Sequence, residues 1–220
     1  MNKRKVLALA LAVCIIAILA CGTLAYFTDS ENVTNKFYTA SYKPDDPVPD
    51  PDELFSIKLD ETDITKDDNS RTESGNTYAG ILPGDELIKD PTVTNTGMYD
   101  AWVRVKVTVT DAQAWTDACA KHGITDLSYI FRGFDASAWD REIDEDEIDL
   151  VNDTITYTYY YNDTVAPDGT AKLFDSIIIP EEFDVSDMAS LATFQLHVVG
   201  EAIQATNTGD TAQEAFLLWE

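Results

Sequence analysis

Only two histidines, His122 and His197, occur in the 220 residues, and neither stands in an H-E-x-x-H helix. A zinc protease built on paired histidines therefore lacks its ligands. A G-x-S-x-G elbow, a P-loop and a dinucleotide fingerprint are missing as well. Cysteine is nearly as scarce: Cys14 and Cys21 fall in the first 25 residues, which leaves Cys119 alone beyond them and excludes an internal disulfide framework. Positive charge is short too. Lys and Arg total 15 against 40 Asp and Glu, a formal charge of -25, and such a chain repels nucleic acid and anionic membrane surfaces. The same acidity leaves room for a hard cation such as calcium.

What little positive charge there is opens the chain. Lys3, Arg4 and Lys5 precede an apolar run over residues 6–20, and Thr23-Leu24-Ala25 supplies a small-residue cleavage site, so residues 1–25 read as a secretory signal helix cut between Ala25 and Tyr26. Two alternatives stay open. Residues 6–25 are free of charge over a length near the ~20 residues that span a bilayer, which fits an uncleaved anchor; and Ile18-Leu19-Ala20-Cys21 fits a lipoprotein site, with leucine ill placed before the small residue. Cleavage removes three positive charges and no negative ones, taking the formal charge from -25 to -28.

An arm over residues 26–43 follows, and then "PDDPVPDPD" at residues 44–52, in which prolines alternate with aspartates. Proline stiffens this stretch toward polyproline II and the aspartates keep it solvated, so residues 44–53 read as a spacer. Phe55, Ile57 and Leu59 begin a fresh period-2 pattern, and residues 54–220 are long enough to bury a single β core. In "AWVRVKVTVT", Ala101, Val103, Val105, Val107 and Val109 share one face while Trp102, Arg104, Lys106, Thr108 and Thr110 share the other. "TITYTYYYN" places Ile155, Tyr157, Tyr159 and Tyr161 together; "LFDSIIIP" and "TFQLHVVGEAIQA" complete the set, the latter aligning Phe194, Leu196, Val198, Gly200 and Ala202. Pro83-Gly84 suits a type II turn, and residues 95–97 and 167–169 mark further reversals. The pattern predicts an all-β antiparallel sandwich. A helical insertion is expected at "AQAWTDACAKH", capped by Asp111, striped by Ala114, Trp115 and Ala118, and closed at Gly123. "SDMASLA" and "TAQEAFLLWE" are shorter helix candidates.

Few side chains invite chemistry. Cys119 and His122 are i,i+3 on the expected helix, a spacing at which a base can reach a thiol, although a lone helical cysteine is usually packing. The densest acidic run, "DREIDEDEIDL", offers Asp144, Glu145, Asp146 and Glu147 as weak calcium ligands, without the glycine and spacing of an EF-hand. Asp67, Asp68 and Asn69 form a second weak candidate. Trp139 and Tyr160 read as exposed aromatics for a binding surface. No residue earns a catalytic assignment, and the expectation is a protein that is not an enzyme.

Three stretches together resemble the TasA/CalY (camelysin) family of exported Gram-positive biofilm-matrix and surface fibre proteins: "GTLAYFTDSENVTNKF" at the leader end, "LPGDELIKDPTVTNTGMYDAWVRVKV" in the middle, and "LFDSIIIPEEFD" with "FQLHVVGEAIQAT" at the close. The resemblance implies a SipW-type signal peptidase acting after Ala25. It also implies a jelly-roll-like sandwich that polymerises by donor-strand exchange, the arm of one subunit completing a sheet of the next. Tyr26, Phe27, Val33 and Phe37 are the apolar anchors such an arm would use. Partners are then further copies, head to tail, or related matrix subunits, with the membrane touched only through the leader. The proline-aspartate spacer and the short chain depart from the fibre-formers, which leaves room for a minor or capping subunit; the peptidase label of some members has no motif to carry it here. A secreted sandwich that binds carbohydrate, protein or calcium through its loops is the competing expectation.

Overall fold

The computed structural model describes residues 28–30, 54–142, 146–191 and 194–219. Its strands pair antiparallel throughout, and among the described residues three short α-helices accompany them. The largest sheet runs β1 (Thr28–Ser30), β13 (Leu196–Gln204), β6 (Ala101–Thr110), β10 (Thr154–Tyr161), β8 (Trp139–Arg141), with β9 (Glu147–Asp149) also on β10. A second sheet orders β11 (Thr170–Lys172), β5 (Thr92–Asn95), β2 (Ile57–Thr62) and β3 (Arg71–Thr72); a third orders β4 (Glu86–Ile88), β12 (Ser176–Ile178) and β7 (Phe131–Arg132).

The alternation read in the sequence places the core. Val103, Val105, Val107 and Val109 of β6 are buried with Tyr157 and Tyr159 of β10, and Phe194, Leu196 and Val198 pack against them. Each such valine contributes about 1.5–3 kcal/mol by leaving water. Gly200 of β13 marks where the first two sheets press together: a Cβ there would lie 3.1 Å from Val93 Cγ2 of β5 and 3.7 Å from Ile57 Cδ1 of β2.

Asn95, at the end of β5, is 0 % exposed and ties its own turn to the loop over residues 165–169. Its Nδ2 donates to the carbonyls of Tyr99 (2.7 Å) and Val165 (2.8 Å), and its Oδ1 accepts from the Gly97 N–H at 3.0 Å. Its backbone N–H donates to Gly169 O and its carbonyl accepts from Asp168 N–H. Gly97 is glycine for want of room, since a Cβ would lie 2.8 Å from Ser56 N and 2.9 Å from Phe55 Cα.

Helix α1 (Ala112–Lys121) buries Ala112, Trp115, Ala118 and Cys119. Asp111 does not cap it as expected. It sits at φ 55°, its side chain makes no capping bond, and the first turn is instead closed by Asp153, whose carbonyl accepts from Ala112 N–H and whose Oδ1 accepts from Gln113 N–H at 2.8 Å. The far end follows the sequence: Gly123 at φ 77° lets Ile124 N–H reach Cys119 O and Gly123 N–H reach Ala120 O. Helices α2 (Val185–Ser190) and α3 (Ala212–Leu217) are the two shorter candidates.

α3 changes the second face of β6. Ala212, Ala215 and Phe216 cover Trp102, Tyr160 and Ile203, forming a small core on the side away from the valines. Arg104, only 3 % exposed, is caught beneath: its guanidinium lies 4.3 Å from the Phe216 ring and 5.7 Å from Trp219, while Nε donates to Glu201 Oε2 at 2.6 Å. Two expected binding aromatics are lost to the interior, Tyr160 here and Trp139 in the main core. Tyr160 is 4 % exposed under α3, and Trp139 is 1 % exposed, with Nε1 donating to Lys172 O at 2.8 Å.

Candidate functional site

The structure answers two chemical candidates from the sequence. Cys119 is 2 % exposed, and burial pushes its thiol up to about 11, so at neutral pH it is protonated and shielded. His122 turns to another partner: Nε2 lies 2.9 Å from Asp187 Oδ2, and Lys121 Nζ donates to Asp184 Oδ2 (2.7 Å) and Asp187 Oδ1 (3.0 Å). The backbone N–H of Asp184 and then His122 hold the Asp187 carboxyl below its ordinary range. This cluster ties the end of α1 to the start of α2, a structural role. In the folded protein Cys119 is therefore expected to resist iodoacetamide at pH 7.5 and to react fully once urea unfolds the chain; mass spectrometry of labelled protein checks this, and fast native labelling would contradict the burial.

Of the acidic run, Asp144 and Glu145 lie outside the described residues. Asp146 is engaged, its Oδ2 accepting from Arg141 Nη2 at 2.6 Å, while Arg141 Nη1 donates to Asp126 Oδ2 at 2.6 Å. Glu147 opens β9 on the exposed side. Asn69 takes φ 58° and Asp68 Oδ1 accepts from Ser70 N–H, so that stretch is spent on a turn. Among the described residues no three His, Cys, Asp or Glu side chains group as metal ligands.

The feature with functional reach is the outer edge of β13. On one side β13 pairs with β6 along its whole length, Leu196 opposite Val109 to Gln204 opposite Ala101. On the other it pairs with β1 over three positions, Thr28 opposite Ile203, Asp29 opposite Ala202 and Ser30 opposite Glu201. Among the described residues, nothing pairs with that side over residues 196–200. Unmatched N–H and C=O groups along a strand are a template for another strand.

Beside the first part of this edge opens a cavity of about 850 Å³, walled by residues 194–197 on one side and 74–81 on the other, with Leu87, Ile177, Met188 and Leu191 as its apolar lining. The facing wall is not a strand, yet it is fixed. Asn76 Nδ2 donates to Glu61 Oε1 (2.8 Å) and Thr62 O (2.7 Å), its Oδ1 accepts from Ile64 N–H, and Tyr78 OH donates to Ile88 O. Burial raises the Tyr78 phenol to about 12, so it stays a donor. Glu61, which is buried, is neutralised by Lys89. Residues 74–81 carry no period of either kind, and nothing in the sequence marked them; the strand wall was legible as "TFQLHVVGEAIQA".

The cleavage pair Ala25 and Tyr26, the anchors Tyr26, Phe27, Val33 and Phe37, and the spacer lie outside the described residues. Compared with protein-family models, with curated proteins and with solved structures, the chain finds no match. Its function therefore has to be argued from its own residues and geometry.

Proposed function

We propose that this chain is an exported structural subunit of a cell surface or biofilm matrix, a jelly-roll-like sandwich that assembles by passing its N-terminal arm to the β13 edge of a neighbour. The observation that carries this reading is β1: a piece of the arm already pairs with β13, beside five positions of the same edge that no described residue pairs with. A strand added there gains a row of backbone hydrogen bonds, with pockets for alternate side chains. The contact is head to tail, so it propagates instead of closing a two-fold dimer. The resemblance to the TasA/CalY family and the leader-like first 25 residues support the same direction. A loop-based binding module has less to stand on, because its two aromatics are buried and Asp146 is occupied by Arg141.

The test is negative-stain microscopy of residues 26–220 at high concentration beside residues 44–220, with circular dichroism to establish that both are folded. Filaments are expected only with the arm present. Filaments from the shortened chain, or folded protein without filaments from both, would overturn the proposal.

A further inference from the structure

The β1 pairing fixes more than an edge; it fixes a register. Each arm residue and its β13 partner sum to a constant, so a strand that continues past Ser30 meets Gly200 with Glu31, Val198 with Val33, Leu196 with Asn35, and reaches Phe194 with Phe37. We infer that in the isolated subunit residues 31–37 of the same chain occupy residues 194–200 of β13 and enter the adjoining cavity, so that each subunit is closed by its own arm before any exchange.

Three observations support this. β1 is already on that edge within one chain, so the occupant continues an established contact. Alternation then puts Val33 and Phe37 on the face where Val198 and Phe194 pack against the core, while Asn32, Thr34 and Lys36 fall on the face of Val199, His197 and Gln195, the last two exposed. The same alternation leaves Glu31 and Asn35 on that inner face, opposite Gly200 and Leu196, so Val33 and Phe37 are the apolar contacts the register supplies. The tether also reaches. Leu54 is held near the other end of β13, since Met98 N–H donates to Leu54 O and nearby Ala101 pairs with Gln204; the return from the Phe194 end is about 33 Å at ~3.3 Å per residue. Residues 38–53 span up to about 50 Å even when proline-stiffened.

This inference rests on the reading of the arm as a strand donor and adds its resting place. Self-closure makes polymerisation an exchange, in which a subunit must first release its own arm.

Disulfide trapping tests it. Directly opposed residues of an antiparallel pair have Cα atoms about 4.5–5.5 Å apart, within disulfide range. One pair on each face, Asn32→Cys with Val199→Cys and Val33→Cys with Val198→Cys, covers both hydrogen-bonding types; Asn32→Cys with Val198→Cys is the off-register control. Each is oxidised at low micromolar concentration in residues 26–220, then run on a non-reducing gel and mapped by mass spectrometry. At least one in-register pair is expected to form a monomeric, intramolecular disulfide, several-fold more than the control, and the locked protein should start filaments only after reduction. Disulfide-linked ladders instead of monomers would overturn self-closure while sparing arm exchange. Equal trapping of the control, or none at all, would overturn the register. A trapped monomer that never forms filaments after reduction would leave this inference standing and remove the fibre proposal.

Discussion

Replacing Asn95 with alanine is expected to cost about 2–4 kcal/mol of stability, a large part of what a domain of this size possesses. The side chain is fully buried and its three bonds end on backbone groups: the Gly97 N–H and the Tyr99 carbonyl of its own turn, and the Val165 carbonyl of a distant loop. Alanine removes all three bonds at once, yet the Gly97 N–H keeps Ser56 O and the Val165 carbonyl keeps Ala101 N–H, so the loss is three hydrogen bonds at about 1 kcal/mol each plus the space the amide filled, not three orphaned groups. Asn95→Asp sharpens the test. It keeps the acceptor for Gly97 but aims a carboxylate at two carbonyl oxygens, so it should be at least as harmful as alanine despite its shape. Urea unfolding followed by tryptophan fluorescence gives both values. A loss under about 1 kcal/mol for either variant would mean that these bonds are replaced by water and that Asn95 is no junction.

The same residue shows how far the sequence could be read. Asn95 to Gly97 was legible as a reversal, because asparagine followed two positions later by glycine is turn chemistry; that its amide reaches Val165, 70 positions on, was not. Local rules succeeded where the partner is local. The valine alternation of β6 predicted its buried face, and Pro83-Gly84 predicted the turn closed by Asp85 N–H on Leu82 O, with Gly84 at φ 85°. They failed where a distant segment supplies the other half. Asp111 has the right chemistry for a cap, but Asp153, just ahead of β10, holds that place. Trp139 and Tyr160 face opposite sides of the sheet, Trp139 into the main core and Tyr160 beneath α3, and only the packing of other segments shows that both sides are covered.

Of the candidate site, the arm and the β13 alternation were both visible as strand-like runs. Their pairing joins Thr28 to Ile203, a separation no periodicity encodes. The second wall of the cavity was invisible for a different reason: residues 74–81 are held by side-chain bonds from Asn76 and Tyr78, not by a repeating pattern.

Arg104 carries the second large expectation. In "AWVRVKV" it reads as a solvated charge, yet α3 closes over it, and its guanidinium is stacked on Phe216 and bonded to Glu201. Arg104→Ala should cost about 3–5 kcal/mol, because it strands a mostly buried carboxylate and removes the cation from the rings. Lys106 Nζ, 3.7 Å from Glu201 Oε2, can recover part of the pairing, which favours the lower half of that range. Arg104→Lys tests the fork separately: it keeps the charge but loses the planar stack, and should fall between wild type and alanine. The paired change Arg104→Met with Glu201→Leu removes both charges together. If the loss in Arg104→Ala comes from an unpaired carboxylate, the double variant should regain most of the stability; if it comes from detachment of α3, the double variant stays as weak as the single and the C-terminal residues become sensitive to protease. Urea midpoints with limited proteolysis distinguish the two, and full stability of Arg104→Ala would mean that α3 does not hold this residue at all.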